Sequence, residues 1–195
     1  MVKIIVRYWL ILAVIVTGLS WLIYGVVQKD IRQGADDPQI QLAEDGAARL
    51  AGGQSIQEVV PIEKVDIAKS LAPYIIVFDS SGKPVASSAL LDGQVPTIPA
   101  GVFDAVRQNG EDRISWQPRY GVRSAVVVTQ FKGANSGFVL AGRSLREVEK
   151  REDSMLQIVF VGWIGILLIS LLATVILFRV AALLFREDAR ERAEG

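Results

Sequence analysis

The chain has 195 residues, about half of them hydrophobic, and a formal net charge of zero. It contains neither Cys nor His, which excludes thiol nucleophiles, disulfides, Cys/His zinc sites, serine–histidine triads and phosphoaccepting histidines. With two long uncharged runs, this composition predicts a small membrane protein with one water-soluble domain, no cofactor and no nucleic-acid partner.

The first uncharged run covers residues 8–27. About twenty residues at 1.5 Å each cross roughly 30 Å of hydrocarbon, so we predict a transmembrane helix. A cleaved signal peptide is the alternative because Lys3 and Arg7 precede the run, but the run exceeds an h-region and no A-x-A site follows it. Aromatic residues near both ends fit the belts of membrane interfaces: Tyr8, Trp9, Trp21 and Tyr24.

A break and a new helix are predicted after the first span. In the segment QGADDP, Asp37 can cap a helix over about 38–51 with Pro38 at its first position. An apolar stripe follows at three- and four-residue spacing, and we expect it to pack on the domain's own sheet, with a dimer seam as the alternative. The stripe consists of Ile40, Ala43, Ala47 and Leu50.

The central region changes from helical to strand character. Ser55 and Glu58 form an S-x-x-E start for a short helix, and residues 65–71 suggest one or two further helical turns. Residues 74–79 and 84–88 then read as an antiparallel hairpin. In its turn we expect Asp79 to bond the backbone and Gly82 to take a positive φ.

The remaining part of the domain predicts one short helix and three strands. The helix begins near Val102 and ends near Gly110. The strands cover about 113–117, 122–131 and 137–142. Together these elements predict an α+β fold with a five-stranded antiparallel sheet and a long N-terminal helix, between two transmembrane helices.

The last strand leads directly into a helix and then into the second uncharged run. Ser144 and Glu147 form a second S-x-x-E pattern, so a helix is predicted from 144 that continues into a transmembrane segment over 154–178. Leu145, Val148 and Met155 follow at a/d spacing. We interpret Ser144, Leu145, Glu147, Val148 and Met155 as a signal-transmission helix.

The distribution of positive charge predicts the topology. Six Lys or Arg residues lie near the span ends on the side of the termini, against five on the loop side. This bias favours cytoplasmic termini (1–7 and 179–195) and an extracytoplasmic domain (28–153), and long loops translocate largely regardless of charge.

The order of these elements resembles the single-Cache or PAS-like extracytoplasmic sensor domains of bacterial receptor histidine kinases and chemoreceptors. The residues that carry the resemblance are 74–88 (YIIVFDSSGKPVASS) and 137–145 (GFVLAGRSL). Ten residues follow Phe185, too few for a catalytic domain. The resemblance therefore implies a location in a bacterial inner membrane and an output that passes to a partner membrane protein.

The resemblance also implies a small-ligand pocket between the sheet and the loop-and-helix side, bordered by residues 90–101. An aromatic wall with a guanidinium suits a carboxylate-bearing molecule, and the candidates are Trp116, Tyr120, Arg113 and Arg123. The alternative interpretation gives Trp116 a core role beside Ile114, with both arginines solvated and Tyr120 in a turn. No catalytic residue and no metal ligand set is predicted.

Two functions remain open from the sequence. The first is a membrane-anchored sensor-like or small-ligand-binding module, not an enzyme, that signals through a partner membrane protein or as a homodimer. The second is an accessory subunit of a membrane complex without a ligand, or a receptor remnant without an effector. An interior filled with side chains would favour the accessory subunit.

Overall fold

The structure of the chain is a computed structural model that describes residues 2–133 and 135–194, apart from the side chains of 32, 33, 35–37 and 185–194. The chain forms two compact units. Residues 1–29 and 152–195 make up the apolar hairpin, and residues 30–151 make up the sheet domain. The elements in chain order are α1 (Val2–Ala51), α2 (Ile56–Val59), β1 (Val65–Asp66), β2 (Tyr74–Asp79), β3 (Pro84–Ser87), β4 (Ala89–Leu90), α3 (Ala100–Asn109), β5 (Glu111–Arg119), β6 (Val122–Lys132), β7 (Ser136–Ser144) and α4 (Arg146–Glu194).

Two helical segments are long and apolar enough to cross a membrane. They are Val2–Ile31, near the N-terminus, and Arg146–Leu184, which is C-terminal to the last strand of the sheet. Their side chains are mostly exposed on the protein itself, as expected of surfaces that a lipid phase or another apolar partner would cover. The described helices are therefore compatible with the two spans predicted from the sequence.

The apolar hairpin is held by indole hydrogen bonds between its helices. The Trp9 N–H donates to Ser170 Oγ and to the Leu167 carbonyl, both at 3.2 Å. The Trp163 N–H donates to Thr17 Oγ1 at 3.0 Å. The earlier residue, Trp9, meets residues 167 and 170, whereas the later residue, Thr17, meets residue 163. The two helices are therefore antiparallel. The sequence predicts Trp9 at a membrane interface, and in the structure its indole also connects α1 to α4.

The sheet domain contains a five-stranded sheet in the order β3-β2-β7-β6-β5. All neighbouring strands in it are antiparallel. The prediction of an α+β fold with a five-stranded antiparallel sheet and a long N-terminal helix is confirmed. The first hairpin lies within one residue of its predicted bounds, whereas β5 is longer than predicted because it continues to a two-residue turn at Tyr120 and Gly121.

A short strand, β1, forms where the sequence predicts the start of further helical turns. β1 and β4 pair in parallel, with the Val65 N–H donating to Ser88 O at 2.7 Å and the Ile67 N–H donating to Leu90 O at 3.0 Å. The prediction of helical turns from residue 65 is wrong for Val65 and Asp66, and only a single turn follows, in which the Ser70 N–H donates to Asp66 O at 2.8 Å. In so short an apolar segment, the spacing of a helix and that of a strand are hard to distinguish. The strand that pairs with β1 is β4, which follows the β2–β3 hairpin in the chain.

The second half of α1 packs on one face of the sheet, here called the back face. Ala43 contacts Val127 and Ala141 with none of its surface exposed. Ala47 and Leu50 join a buried cluster with the neighbouring strands, so the prediction that this stripe packs on the domain's own sheet is confirmed. The small Ala side chains let the helix backbone approach the strands closely.

The predicted break between the first span and the domain helix is wrong. α1 continues through Pro38 as one helix, although a proline in a helix interior removes one backbone hydrogen bond and costs about 3 kcal/mol. The apolar residues that follow bury themselves on the back face, and this packing outweighs the local preference to end the helix. The side chain of Asp37, the predicted cap, lies outside the described part of the chain.

The turn between β2 and β3 forms as predicted. The Asp79 carboxylate accepts hydrogen bonds from Ser81 N–H at 2.9 Å and Lys83 N–H at 3.0 Å, and from the Ser81 hydroxyl at 2.6 Å. These bonds, led by the Ser81 hydroxyl, hold the pKa of Asp79 below its usual range. Gly82 has a φ of 84°, which a residue with a side chain rarely adopts.

Candidate functional site

The face of the sheet opposite α1, here called the front face, is covered by α3 and the loops around it. Three phenylalanines from separate elements meet there. The Phe103 ring of α3 lies 5.0 Å from the Phe78 ring in an edge-on arrangement and 4.9 Å from the Phe138 ring. All three side chains are at least 95% buried. The part of the expected ligand region that lies beneath α3 is therefore occupied by packed aromatic side chains.

Two buried hydroxyls, those of Tyr74 and Ser124, lie in the same core. The Tyr74 ring lies across Gly142 of β7, so a Cβ at Gly142 would collide with it, and Tyr74 is 1% exposed. Burial raises the pKa of Tyr74 to about 12, although the neighbouring Ser124 hydroxyl offsets part of this rise. Neither hydroxyl makes a hydrogen bond of good geometry. Both hydroxyls are thus buried among the apolar side chains of the front-face core.

A surface groove of about 620 Å³ opens beside the front-face core. We call it the Trp116 groove. The segment before α3 forms one wall and β5 forms the other, and the lining residues are Thr97, Ile98, Pro99, Ile114, Ser115, Trp116, Gln117 and Pro118. The loop from β4 to α3 is bound to the end of β5 near its start. There Arg119 donates to both carboxylate oxygens of Asp92, at 2.5 and 2.7 Å.

The structure does not bring the four predicted ligand residues together. Trp116 lies in the front-face core, 6% exposed, and lines the groove. Arg113 pairs in register with Val127, a back-face residue, and binds Glu111 at 2.5 Å. Tyr120 is 96% exposed in the β5–β6 turn. Arg123 is bound to Glu149 of α4, so only Trp116 borders a cavity on the expected side.

The junction between β7 and α4 carries the predicted transmission residues. The helix begins at Arg146, and the Ser144 hydroxyl accepts from the Arg146 N–H at 3.3 Å. The Glu147 carboxylate accepts from Lys150 at 3.0 Å and not from the strand, so the reciprocal capping box predicted for Ser144 and Glu147 is not what caps the helix. Leu145 donates its N–H to the Arg123 carbonyl at 2.9 Å, and Met155 belongs to the apolar hairpin.

Three arginines fix this junction to the domain. Arg123 of β6 binds Glu149 at 2.6 Å. Arg143 and Arg146 each donate to a backbone carbonyl of the loop before β2, at 3.2 and 2.9 Å. We call this set the junction clamp. Sequence reasoning did not find it because the partners are 26, 72 and 77 residues apart, and no local spacing pattern marks such pairs.

A second cavity, of about 340 Å³, lies at the same end of the sheet domain. We call it the junction groove. α1 lines one side and the start of α4 lines the other, and the described charged residues on it are Asp30, Arg143, Glu147 and Arg151. Leu145 and Val148, predicted for transmission, also line it. Gln39, on the groove wall, is 1% exposed.

Acidic side chains do not gather into a metal-binding group among the residues that the structure describes. No protein-family model and no curated protein sequence matches the chain. Its function must therefore be argued from the geometry of the front-face core, the two grooves and the junction clamp.

Proposed function

We propose that the chain is a membrane-anchored, extracytoplasmic module of single-Cache or PAS-like type that acts through a partner membrane protein. Its two apolar helices span a bacterial cell membrane with both termini in the cytoplasm. The observation that carries the proposal is the junction clamp. Since the central strand β7 continues into α4, and since Arg123 and Arg146 tie the first turn of that helix to the sheet domain, a displacement of β7 is carried into the helix.

The packing of the front face supports recognition by protein contact and not by an internal ligand. A pocket for a small molecule needs a concave space of a few hundred Å³, whereas Phe78, Phe103 and Phe138 fill the corresponding region with rings about 5 Å apart. This filled core favours an accessory or relay role, in which the sheet domain docks on its partner.

Photo-crosslinking of the full chain in membranes tests this function. A benzoylphenylalanine in place of Ile158, which is 73% exposed on α4, should capture a partner membrane protein. The matched control is the same probe in place of Trp163, which faces Thr17 within the hairpin and should react within the chain. A product with a second copy alone would indicate a homodimer. Absence of any intermolecular product from exposed positions along both spans would refute action through a partner.

Topology is tested separately with reporters fused to each terminus. We expect cytoplasmic activity from both fusions. An extracytoplasmic C-terminus would overturn the proposed compartment of the sheet domain, whatever the crosslinking shows.

The Trp116 groove supports a second candidate function, the binding of a small molecule at the domain surface. Its volume is about 620 Å³, within the usual range for ligand sites, and its walls come from the loop and strand that the resemblance assigns to a pocket. Thermal-shift screening of the full chain against small carboxylates and amino acids tests it. Stabilisation that persists in Tyr120→Ala and disappears in Thr97→Trp, which adds a large side chain at an exposed residue of the groove wall, is the expected pattern for a ligand there.

A further inference from the structure

We infer that the apolar hairpin binds the ring of a lipid-soluble quinone in a cleft between its two helices. The cleft, here called the aromatic cleft, has a volume of about 320 Å³. The inference rests on the proposed membrane anchoring of the hairpin and adds a ligand to it. The lining residues all belong to the apolar hairpin, and they are Thr17, Ser20, Trp21, Tyr24, Leu156, Val159, Phe160 and Trp163.

Two neighbouring hydrogen-bond donors on the aromatic cleft have no partner among the described residues. Of the Ser and Thr side chains in the uncharged runs 8–27 and 156–178, three donate to a backbone carbonyl of their own helix, whereas Ser20 does not. The other two tryptophans of these runs donate to the facing helix, whereas Trp21 does not. Ser20 and Trp21 therefore each retain a donor for a ligand at the cleft.

The depth of these two donors in the membrane makes an acceptor valuable. Ser20 and Trp21 precede the predicted end of the first span, Val27, by seven and six residues. Counted along the helix at 1.5 Å per residue, they lie about 10 and about 9 Å inside the hydrocarbon. Water is absent at that depth, so an O–H or N–H group without an acceptor is costly there. A membrane-soluble ligand with acceptor oxygens would satisfy both donors.

The walls of the aromatic cleft define the rest of the ligand. Trp21 and Tyr24 come from α1, and Phe160 and Trp163, with ring centroids 5.8 Å apart, come from α4. The structure describes every lining side chain, and none of them is charged. The cleft therefore suits a neutral, planar ring that stacks on aromatic side chains and carries oxygen acceptors at its edge. A quinone has this chemistry, because its electron-poor ring bears two carbonyl oxygens.

A lipid acyl chain is the competing occupant of the aromatic cleft. It matches the apolar walls, but it carries no acceptor at the depth of Ser20 and Trp21, since the ester carbonyls of phospholipids lie at the membrane interface. The volume of about 320 Å³ is at the lower end of the usual range for ligand sites and accommodates one substituted ring system. The two unpaired donors therefore favour the quinone.

Photolabelling of the full chain in phosphatidylcholine nanodiscs, with an azido derivative of menadione, tests the inference. The chain contains no Cys, so menadione has no thiol to alkylate. We expect label on residues 17–24 and 156–163, and unlabelled menadione should compete with it. Methylnaphthalene has the same fused rings without the carbonyl oxygens and should compete about tenfold less well. Equal competition by both compounds, or label spread evenly over the lipid-facing residues of both helices, would overturn the inference.

Matched variants localise the site. Leu156→Trp adds a large side chain at a half-exposed residue of the cleft and should abolish the competed label, whereas Ile158→Trp, at an exposed residue of α4 outside the cleft, should not. Ser20→Ala and Trp21→Phe each remove one donor, so each should weaken competition by menadione about fivefold and leave that by methylnaphthalene unchanged. Competed label that survives Leu156→Trp, or unchanged competition in both donor variants, would refute the site.

Carbonate extraction of membranes that contain the full chain separates this inference from the proposed function. We expect the chain to stay in the membrane fraction. Release into the soluble fraction would overturn both the quinone site and the proposed function. Retention in the membrane without competed label would overturn the quinone site alone, because capture of a partner membrane protein does not depend on the aromatic cleft.

Discussion

Removal of the Phe103 ring tests whether the front-face core is packed or poised to receive a ligand. Phe103 is 5% exposed and makes two aromatic contacts, with Phe78 and Phe138. Phe103→Ala leaves a cavity that the rigid sheet below cannot close, so we expect a loss of about 3–5 kcal/mol in unfolding free energy. For a domain of this size the loss corresponds to a fall of roughly 10–20 °C in Tm.

The cavity of the variant should bind a small apolar molecule, whereas the wild-type core should not. An apolar cavity of side-chain size stays dry and accepts benzene, and binding to the folded state raises Tm by mass action. Unfolding can be followed by the fluorescence of Trp116, the one tryptophan in the described sheet domain. The control is Tyr120→Ala, which removes an aromatic side chain that is 96% exposed and should change stability by less than about 0.5 kcal/mol.

Two results would refute the reasoning. If benzene or indole stabilised the wild-type chain as much as Phe103→Ala, the core would contain a pocket and the internal-ligand interpretation would regain support. If Phe103→Ala cost less than about 1 kcal/mol, well below the usual range for a buried phenylalanine, the three rings would not be packed together.

Three further predictions address other parts of the chain. Gly142→Ala should destabilise the sheet domain by about 1–3 kcal/mol because its Cβ meets the Tyr74 ring; an unchanged urea midpoint would contradict this packing. Asp79 has a lowered pKa in the fold, so its stabilising contribution is present above its unfolded pKa and is lost as pH falls through the folded value; Asp79→Asn should lack that acid-dependent loss in pH-dependent unfolding curves. Thr17→Val removes the acceptor of the Trp163 indole and should weaken the apolar hairpin by about 0.5–2 kcal/mol in steric-trapping measurements, and no change would mean that packing alone joins the helices.

The sheet and its first turn were predictable because their determinants are local. The run from Tyr74 to Phe78 is β-branched and aromatic, and the turn that follows supplies Asp79 and Gly82 at the positions that a tight turn needs. The uninterrupted valines 126–128 are typical of a strand covered on both faces. Val127 indeed faces α1 and its neighbours face the front core.

Other features depend on contacts between distant residues and could not be predicted. The aromatic core joins Phe78, Phe103 and Phe138 from three elements, and their proximity is fixed only by the strand order and the placement of α3. At Pro38 the local signal for a helix break was strong, but packing against the sheet prevailed. Only Trp116 of the predicted ligand residues borders a groove, because the alternation of β5 turns Arg113 to the other face.

The attachments of α1 and α4 to the sheet domain differ in kind, and this difference indicates which helix moves more easily. α1 is held by buried apolar side chains such as Ala43 and Leu50, and its separation from the back face would expose them at a cost of about 0.8 kcal/mol for each methylene group. α4 is held largely by the junction clamp, in which the Arg123–Glu149 pair is nearly half exposed. An exposed ion pair contributes about 1 kcal/mol or less. Within the sheet domain, the first turns of α4 are therefore held more weakly than the second half of α1.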